Sequence, residues 1–239
     1  MSDAHSGRNE HYLTSMVIIG VLFFIFGFVT WLNGPLISFV KLAFNLDDVN
    51  AFLVPMAFYI SYFVLALPAS WLLKGTGMKK GMALGLLVMA IGAVLFGQFA
   101  TMRVYPGALS GLFVIGAGLA LLQTAANPYI SILGPIDSAA QRIAFMGICN
   151  KFAGILAPLV LGALVMHGLG DLKARVEAAD PATRAALLDA FAARIHLPYL
   201  VMAIVLGALG IWIARSPLPE IRPADVNRGE AGGGRARLL

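Results

Sequence analysis

The chain has 239 residues, of which 59% are hydrophobic and 12% charged, and its mean hydropathy is +0.85. Water-soluble domains are typically about 45–50% apolar and about 25% charged, so this composition excludes an ordinary soluble fold and predicts an integral membrane protein surrounded by lipid. The formal net charge is +5, but the Lys and Arg residues lie almost entirely between and beyond the apolar runs, which argues against nucleic acid as a partner.

The first residues, 1–13, are polar and are predicted to form a cytoplasmic tail without a cleavable signal peptide. Six apolar segments follow, and each has at least about 18 residues, enough to cross roughly 30 Å of hydrocarbon as a helix. Backbone groups inside lipid must be hydrogen-bonded internally, so the runs are predicted to be helices. The expected fold is an all-α membrane protein with a six-helix bundle over residues 14–215. The segments cover about residues 14–44, 51–73, 82–102, 107–133, 140–167 and 197–214.

The longest predicted loop, residues 168–196, lies before the sixth segment and is expected on the periplasmic side. Apolar residues recur at helical spacing from Pro181 to Ile195, and Asp180 can cap a helix whose first residue is Pro181. We expect a short amphipathic helix at the outer face of the membrane. After the sixth segment, residues 216–239 are rich in Pro, Gly and Arg and predict a disordered cytoplasmic tail or a truncated central linker.

The basic residues predict the orientation, because cytoplasmic loops of membrane proteins are enriched in Lys and Arg. With a cytoplasmic N-terminus, ten Lys and Arg residues fall on the inside and six on the outside. Four of those six belong to the 168–196 loop, so the short loops favour the same orientation more strongly. Six crossings return the C-terminus to the cytoplasm. The expected location is therefore a bacterial-type inner membrane with both termini inside.

Two halves of the segment order resemble each other weakly. The first segment carries Asn33-Gly34-Pro35 and the fourth carries Asn127-Pro128-Tyr129, each in its second half. The second and fifth segments each carry one internal proline, Pro68 and Pro158. Segments one to three and four to six are therefore predicted to be two copies of a three-helix unit. Because each copy crosses the membrane an odd number of times, the copies must be inverted, as in several transporter folds.

The chain offers no enzyme constellation. It has no nucleophile elbow, phosphate loop or metal-binding His pair, and no Asp or Glu falls inside the six segments. The one cysteine, Cys149, lies in an apolar run without metal-ligand spacing. We therefore predict no catalytic residue, no metal site and no cofactor.

The segments do carry uncharged polar and aromatic residues, which would be costly in lipid unless paired or facing water. Gln123 and Asn127 are four residues apart and share one helix face. Amides donate and accept hydrogen bonds, as sugar hydroxyls do, and aromatic rings can cover the apolar face of a pyranose. A neutral sugar is thus the expected substrate; the alternative is that these residues only hold helices together. The predicted substrate-binding residues are Gln123, Asn127, Asn150, Asn33, Trp31 and Tyr59.

Lys151 is the only charged residue inside an apolar run and away from its ends, which makes a coupling or gating role a hypothesis and a structural contact its alternative. Lys79 and Lys80 lie in a tight glycine-rich turn between the second and third segments, where a conformational gate and a simple anchoring loop are both open. Arg142, at the start of the fifth segment, is assigned with them to coupling or gating.

Several stretches resemble the fucose–galactose–glucose symporter family of the major facilitator superfamily. The most specific stretch is GLALLQTAANPYISILGP, residues 118–135. AFYISYFVLALPAS, LPYLVMAIVL and the run from Arg142 to Phe152 resemble other helices of the same family, and FGFVTWLNGPLI resembles its glucose/galactose and N-acetylglucosamine branch. The resemblance covers about residues 16–215.

The resemblance implies twelve helices in two six-helix bundles, with the sugar at their interface and cation-coupled alternating access. It also implies carboxylates at the positions of Gly34 and Gln123, which this chain lacks, and a polar amide near Asn150. The coupling ion, H+ or Na+, therefore stays open. The chain is predicted to be the N-terminal half of a hexose or N-acetylhexosamine symporter, either a fragment or truncated frame that lacks its C-terminal half, or a half-size protein acting with a second copy. A non-transporting helical membrane subunit is the alternative.

Overall fold

The computed structural model describes residues 3–133 and 136–222, with side chains from Leu13 onward except that of Ile136. This part of the chain is helical and contains no strand. The α-helices, in chain order, are α1 Asp3–Trp31, α2 Asn33–Ala43, α3 Asp48–Ala51, α4 Leu53–Thr76, α5 Met78–Thr101, α6 Tyr105–Ile132, α7 Ala139–Leu164, α8 Leu169–Ala178, α9 Pro181–Ala193 and α10 His196–Arg215. A single 3-10 turn, Ile136–Ser138, precedes α7.

Six spans among the described residues are long and apolar enough to cross a membrane, which confirms the predicted fold class. The first combines α1 and α2, the second α3 and α4, and the sixth α9 and α10; α5, α6 and α7 each form one span. Their apolar runs continue around the whole helix because lipid or protein surrounds every side.

Two boundaries differ from the sequence prediction. The backbone of α1 is helical from Asp3, so the helix includes most of the expected polar tail. The first span also breaks at Leu32, between Trp31 and Asn33. Pro35 has no backbone N–H to donate to the Trp31 carbonyl four residues earlier, which ends α1 there. Leu36 N still donates to Leu32 O at 3.1 Å, so α2 continues in nearly the same direction.

The predicted amphipathic helix is present as α9, and α8 precedes it. The Asp180 carboxylate accepts hydrogen bonds from the backbone N–H groups of Ala182 and Thr183, at 3.0 and 3.2 Å. Hydrogen bonding at Thr183 lowers the pKa of Asp180, because these donors favour the charged carboxylate. Phe191 on α9 packs against Phe39 on α2, with ring centroids 5.1 Å apart. This contact holds α9 against the α2 part of the first span. We call the side of the bundle where α9 lies the α9 end.

The spans include two equivalent helix pairs and a third pair, which contacts the rest of the bundle mainly where α5 packs on α6. α1 packs on α7, and α4 packs on α6. These two pairs are equivalent because the first span corresponds to the fourth, and the second to the fifth, in the inverted repeats. α5 packs on α10, and these two helices are the corresponding third and sixth spans. The core of the bundle is apolar, with Phe39, Phe58 and Phe96 completely buried.

A very close helix approach occurs between α5 and α6, where glycines face each other. A Cβ atom added at Gly85 would lie 2.7 Å from Gly118 O, and one at Gly118 would lie 2.5 Å from Gly85 O. In a membrane, helices gain van der Waals contact by such close backbone approach rather than by the hydrophobic effect. These glycines therefore hold the most buried part of the bundle together.

The segment after α10 does not follow the expectation of a disordered tail throughout. Ser216–Arg222 returns to the N-terminus of α5, where Glu220 accepts hydrogen bonds from the backbone N–H groups of Lys79 at 2.9 Å and Lys80 at 3.3 Å. Ile221 O accepts from Met78 N at 2.9 Å. Residues 223–239 of the predicted tail lie outside the described residues. We call this side of the bundle the tail end.

Candidate substrate-binding site

A first polar cluster lies on the α4–α6 pair. The Tyr62 hydroxyl donates to Gln123 Oε1 at 2.9 Å, which joins the two helices. Asn127, one turn further along α6, is exposed, and Pro128 beside it is exposed as well. Tyr59 lies one turn before Tyr62 on α4 and exposes 48% of its surface. The cluster thus presents one amide already bonded within the protein, one open amide and an aromatic ring.

A second cluster lies on the equivalent pair, α1 and α7. Lys151 Nζ lies 4.8 Å from the ring centroid of Trp31, which is a cation–π contact, and both residues are exposed. Gly154 leaves room for the indole, because a Cβ atom there would lie 2.9 Å from it. Asn150 is half-buried, and its Nδ2 donates to Phe23 O at a long 3.4 Å. The nearby Gly27 leaves space for this amide.

Asn33 differs from the other predicted contacts because it is buried. Its Nδ2 donates to Thr30 O at 3.1 Å, while its Oδ1 is buried without a hydrogen-bond partner among the described residues. An unpaired buried acceptor costs free energy, about 1–3 kcal/mol in typical proteins. In this conformation the structure therefore does not bring Asn33 together with the exposed amides.

The predicted coupling and gating residues other than Lys151 lie at the tail end. Arg142 is buried and holds the turn between α6 and α7, donating to Ile130 O at 3.0 Å, Ser131 O at 2.8 Å and Ser138 Oγ at 2.7 Å. Lys79 Nζ donates to Ser216 O at 2.7 Å. Their contacts lie within or between the loops of the tail end and do not reach the two polar clusters.

The α4 and α7 helices leave large apolar side chains uncovered. Phe63 and Trp71 on α4 expose 81% and 68% of their surfaces, and Ile155 on α7 exposes 63%. These two helices are also the least buried of the six spans, whereas α6 is the most buried. These surfaces of α4 and α7 are not covered by other described helices, and we call them the open faces of the bundle.

Comparison with known proteins decides the family. A sequence model described as Major Facilitator Superfamily matches residues 19–238, which is most of the chain. The chain belongs to the Major Facilitator Superfamily. It is similar to a crystal structure of the superfamily transporter FucP in the outward conformation, with a TM-score of 0.75 and 29% sequence identity. That match covers 88% of this chain and 51% of the FucP chain.

Named relatives of this Major Facilitator Superfamily chain are sugar transporters rather than enzymes. It is 36% identical over 225 residues to a glucose/galactose transporter of Brucella abortus biovar 1, covering 94% of this chain and 50% of the relative. It is 29% identical over 240 residues to the L-fucose-proton symporter of Escherichia coli K12, covering 99% of this chain and 55% of the relative. The chain therefore spans about half the length of the relatives it matches.

Membership of the superfamily gives the open faces of α4 and α7 a physical reason. The chain covers about half of each relative's length, and large apolar patches of this kind mark contacts with protein or with lipid. The two polar clusters lie on helix pairs that include these helices. No group of three or more His, Cys, Asp or Glu residues that could hold a metal ion occurs in the described part of this superfamily chain.

Two contacts of this superfamily chain were not among the predicted site residues. Tyr62 donates a hydrogen bond to Gln123. Sequence alone does not pair these two residues, because it does not say which helix faces Gln123. Glu220 caps α5 from a segment whose composition indicated no structure. Local sequence cannot identify Glu220 as a cap, because the two residues that donate to it are 141 and 140 positions away.

Proposed function

We propose that this chain is the N-terminal half of a cation-coupled symporter that takes up a neutral hexose or N-acetylhexosamine by alternating access. The observation that carries the proposal is that each of the two helix pairs related by the inverted repeat carries an amide and an exposed aromatic ring, the amide being exposed on one pair and half-buried on the other. Asn127 and Tyr59 belong to one pair, and Asn150 and Trp31 to the other. Amides and flat rings without a carboxylate suit a polar, uncharged ring compound.

The amides contribute unequally in this proposal. Asn127 is exposed and no hydrogen bond from its side chain to another described residue is recorded, so its donor and acceptor are available to a hydroxyl pair. Gln123 uses Oε1 to accept from Tyr62 and retains its Nε2 amide donors, so it acts as a donor to the sugar. The alternative packing function is favoured for the Tyr62–Gln123 bond alone, because that bond joins α4 to α6.

Coupling and gating are assigned to basic residues. Lys151 holds the Trp31 ring through the cation–π contact and supplies a positive charge within the α1–α7 cluster. Arg142, Lys79 and Lys80 hold the loops that must move when the cytoplasmic side opens. The partner that completes the site is a C-terminal six-helix half or a second copy of this chain, placed on the open faces of α4 and α7.

Sugar binding by the full chain in lipid nanodiscs tests the proposal. Trp71→Phe and Trp212→Phe leave Trp31 as the reporter of intrinsic fluorescence, and hexoses and N-acetylhexosamines are titrated with and without sodium. A saturable signal that weakens with Asn127→Ala is expected. Loss of one neutral hydrogen bond, about 0.5–1.5 kcal/mol, corresponds to a decrease in affinity of roughly 2- to 10-fold.

Gln98→Ala is the matched control, because Gln98 is an amide on α5 that interacts with Met102 Sδ at 3.4 Å, away from both clusters. Its affinity should equal that of the parent. A folded chain without a saturable sugar response, or with an equal response in both alanine variants, contradicts the proposal. Uptake into proteoliposomes by the chain alone would identify a second copy as the completing partner; binding without uptake would identify a separate half.

A further inference from the structure

A cleft of about 440 Å³ lies between α1, α7 and α10, apart from both polar clusters. Its walls are almost entirely apolar and include Phe24, Phe28, Leu164, Val201, Met202 and Val205. One charged residue, Arg194, lines it at the α9 end. Cavities of this size hold small organic ligands, and an apolar lining with a single cation suits an amphiphile.

The cleft exists because two helix pairs that correspond under the inverted repeat are packed differently. The α5–α6 pair, the third and fourth spans, is closed by glycines that let the backbones touch. The corresponding pair is α10 with α1, the sixth and first spans, and these helices make little direct contact. Aromatic and branched side chains line the space between α10 and α1, so the gap that glycines close in one pair stays open in the other.

The cleft is open along the membrane-spanning surface. Leu164 and Val201, which line it, expose 54% and 51% of their surfaces, so its opening lies between α7 and α10. Water would find few hydrogen-bonding partners against these walls, whereas hydrocarbon chains surround the bundle. From Leu197 to Leu206 the lining follows α10 over ten residues, a rise of about 14 Å, which is near half of a hydrocarbon core of roughly 30 Å. The cleft is therefore about one leaflet deep.

Arg194 has unused donors at the mouth of the cleft. Its Nη1 donates to His167 O at 2.9 Å and Val165 O at 3.5 Å, and the guanidinium lies 5.6 Å from the Phe191 ring centroid, which fixes it; neither Nη2 nor Nε donates a hydrogen bond to another described residue. No carboxylate among the described residues forms an ion pair with it, in contrast to Arg103 at the same end, whose Nη1 lies 3.0 Å from Asp189 Oδ1. A held guanidinium with free donors matches a phosphate oxygen.

We propose that this cleft binds one phospholipid, with an acyl chain between α1, α7 and α10 and the phosphate against Arg194. An acyl chain gains little hydrophobic free energy on leaving the bilayer for the cleft, because both surroundings are apolar. Selectivity therefore comes from the fit of the chain and from the charge-assisted contact at Arg194, and an anionic head group binds better than a zwitterionic one. This site is independent of the proposed sugar function.

Native mass spectrometry of the full chain tests the proposal. The chain is released from nanodiscs of equimolar phosphatidylglycerol and phosphatidylethanolamine, and retained lipid is counted. One retained phospholipid, enriched in phosphatidylglycerol, is expected. Arg194→Gln should reduce the retained fraction at least several-fold, while the control Arg103→Gln, which removes a paired cation at the same end, should leave it unchanged.

Val205→Trp provides the second test, because it fills the deep part of the cleft and leaves the Arg194 contacts to the two carbonyls intact. Circular dichroism confirms that the variants keep their helices. If Arg194→Gln does not fold, Val205→Trp alone decides: retention equal to the parent overturns the proposal. Unchanged lipid retention in Arg194→Gln also overturns the proposal. So does a cross-link between two copies of the chain, formed through a single cysteine placed in the cleft, when no lipid is bound.

Discussion

Gln123 and Asn127 illustrate what the residue scale adds to sequence. Their spacing of four predicts one shared face of a helix, and both belong to α6 as expected. Periodicity says nothing about what lies opposite each residue. Gln123 meets Tyr62 of α4, whereas Asn127 meets no recorded side-chain partner. Gln123 therefore has only its Nε2 donors left for a ligand, whereas Asn127 offers both its donors and its acceptor. This difference arises from tertiary packing that the sequence pattern does not contain.

Lys151 stands out among the intramembrane residues because its charge has no carboxylate partner among the described residues. Its recorded interaction is with the face of Trp31, at 4.8 Å from the ring centroid. A cation over an indole at an exposed site contributes about 0.5–1 kcal/mol. The sequence identified both residues as candidates but could not predict that they touch, because they are 120 positions apart on different repeats.

We predict a coupling between Lys151 and Trp31 in a double-mutant cycle of Lys151→Gln and Trp31→Leu. Unfolding in mixed detergent should give an interaction free energy of about 0.5–1 kcal/mol, favourable in the parent. Lys151→Arg should retain most of it, since a guanidinium also binds an aromatic face. An interaction free energy of zero would show that the contact does not stabilise the bundle and that Lys151 is held by another interaction.

At the scale of elements, the apolar runs predict all six spans because each is long enough and nearly free of charge. The break at Leu32 and the docked segment Ser216–Arg222 were not predicted, for different reasons. A proline is tolerated within many membrane helices, as Pro68 is within α4, so Pro35 alone does not specify a break. The docked segment depends on a distant helix terminus rather than on its own composition.

Glycines on α5 and α6 give a prediction for helix packing. Gly118→Ala places a Cβ atom 2.5 Å from Gly85 O, and backbone cannot yield as a flexible side chain can, so a loss of stability of about 1–3 kcal/mol is expected. Gly147→Ala on α7 is the matched control, because a Cβ atom there has no neighbour within 4 Å. It should be neutral or stabilising, as alanine is the better helix former. Thermal unfolding in detergent compares them, and equal melting temperatures for the two variants would argue against the close α5–α6 approach.

The junction of α4, α5 and the docked segment depends on an unusual helix start. Gly77 ends α4 and precedes α5 with a φ of +85°, and as a glycine it has no side chain to cap α5. The N-terminal N–H groups of α5 are satisfied instead by Ile221 O and by the Glu220 carboxylate. The negative charge of Glu220 is also favourable here, because the N-terminus of α5 is the positive end of its macrodipole.

Glu220→Ala should therefore loosen the start of α5. Without the carboxylate, the N–H groups of Lys79 and Lys80 lose their acceptor, and hydrogen exchange there should become at least several-fold faster. Asp137→Ala, which removes an exposed carboxylate at the same end, is the control and should leave these amides unchanged. If exchange at Lys79 and Lys80 is the same in both variants, the segment is not the cap of α5.

On the scale of the whole molecule, sequence predicted the inverted repeats but not the asymmetry between them. The α1–α7 and α4–α6 pairs are equivalent, as two copies of one unit require. The α5–α6 pair is closed by glycines and the α1–α10 pair encloses a cleft. The positions of prolines and amides reveal the repeats in the sequence. They do not show whether the residues between two helices are small enough to let the helices touch.

The orientation of the bundle follows from where its basic loops lie. The turn between α4 and α5 carries Lys74, Lys79 and Lys80, and Arg142 holds the turn between α6 and α7, all at the tail end. At the α9 end, four of the six basic residues belong to the long loop that contains α8 and α9. Basic residues in short loops have the larger effect on insertion, so the tail end is proposed to face the cytoplasm.

Reporter fusions to the chain in a bacterial host measure this orientation directly. Alkaline phosphatase fused after Ala179, between α8 and α9, should be active because it reaches the periplasm, and a fluorescent protein fused there should be dark. Fusion of each reporter after Arg222 should give the reverse result, since that residue follows the docked segment at the tail end. The two positions act as controls for each other, because insertion in the opposite orientation would exchange their signals. Phosphatase activity after Arg222 with none after Ala179 would place the docked segment, and with it the Glu220 cap of α5, on the periplasmic face.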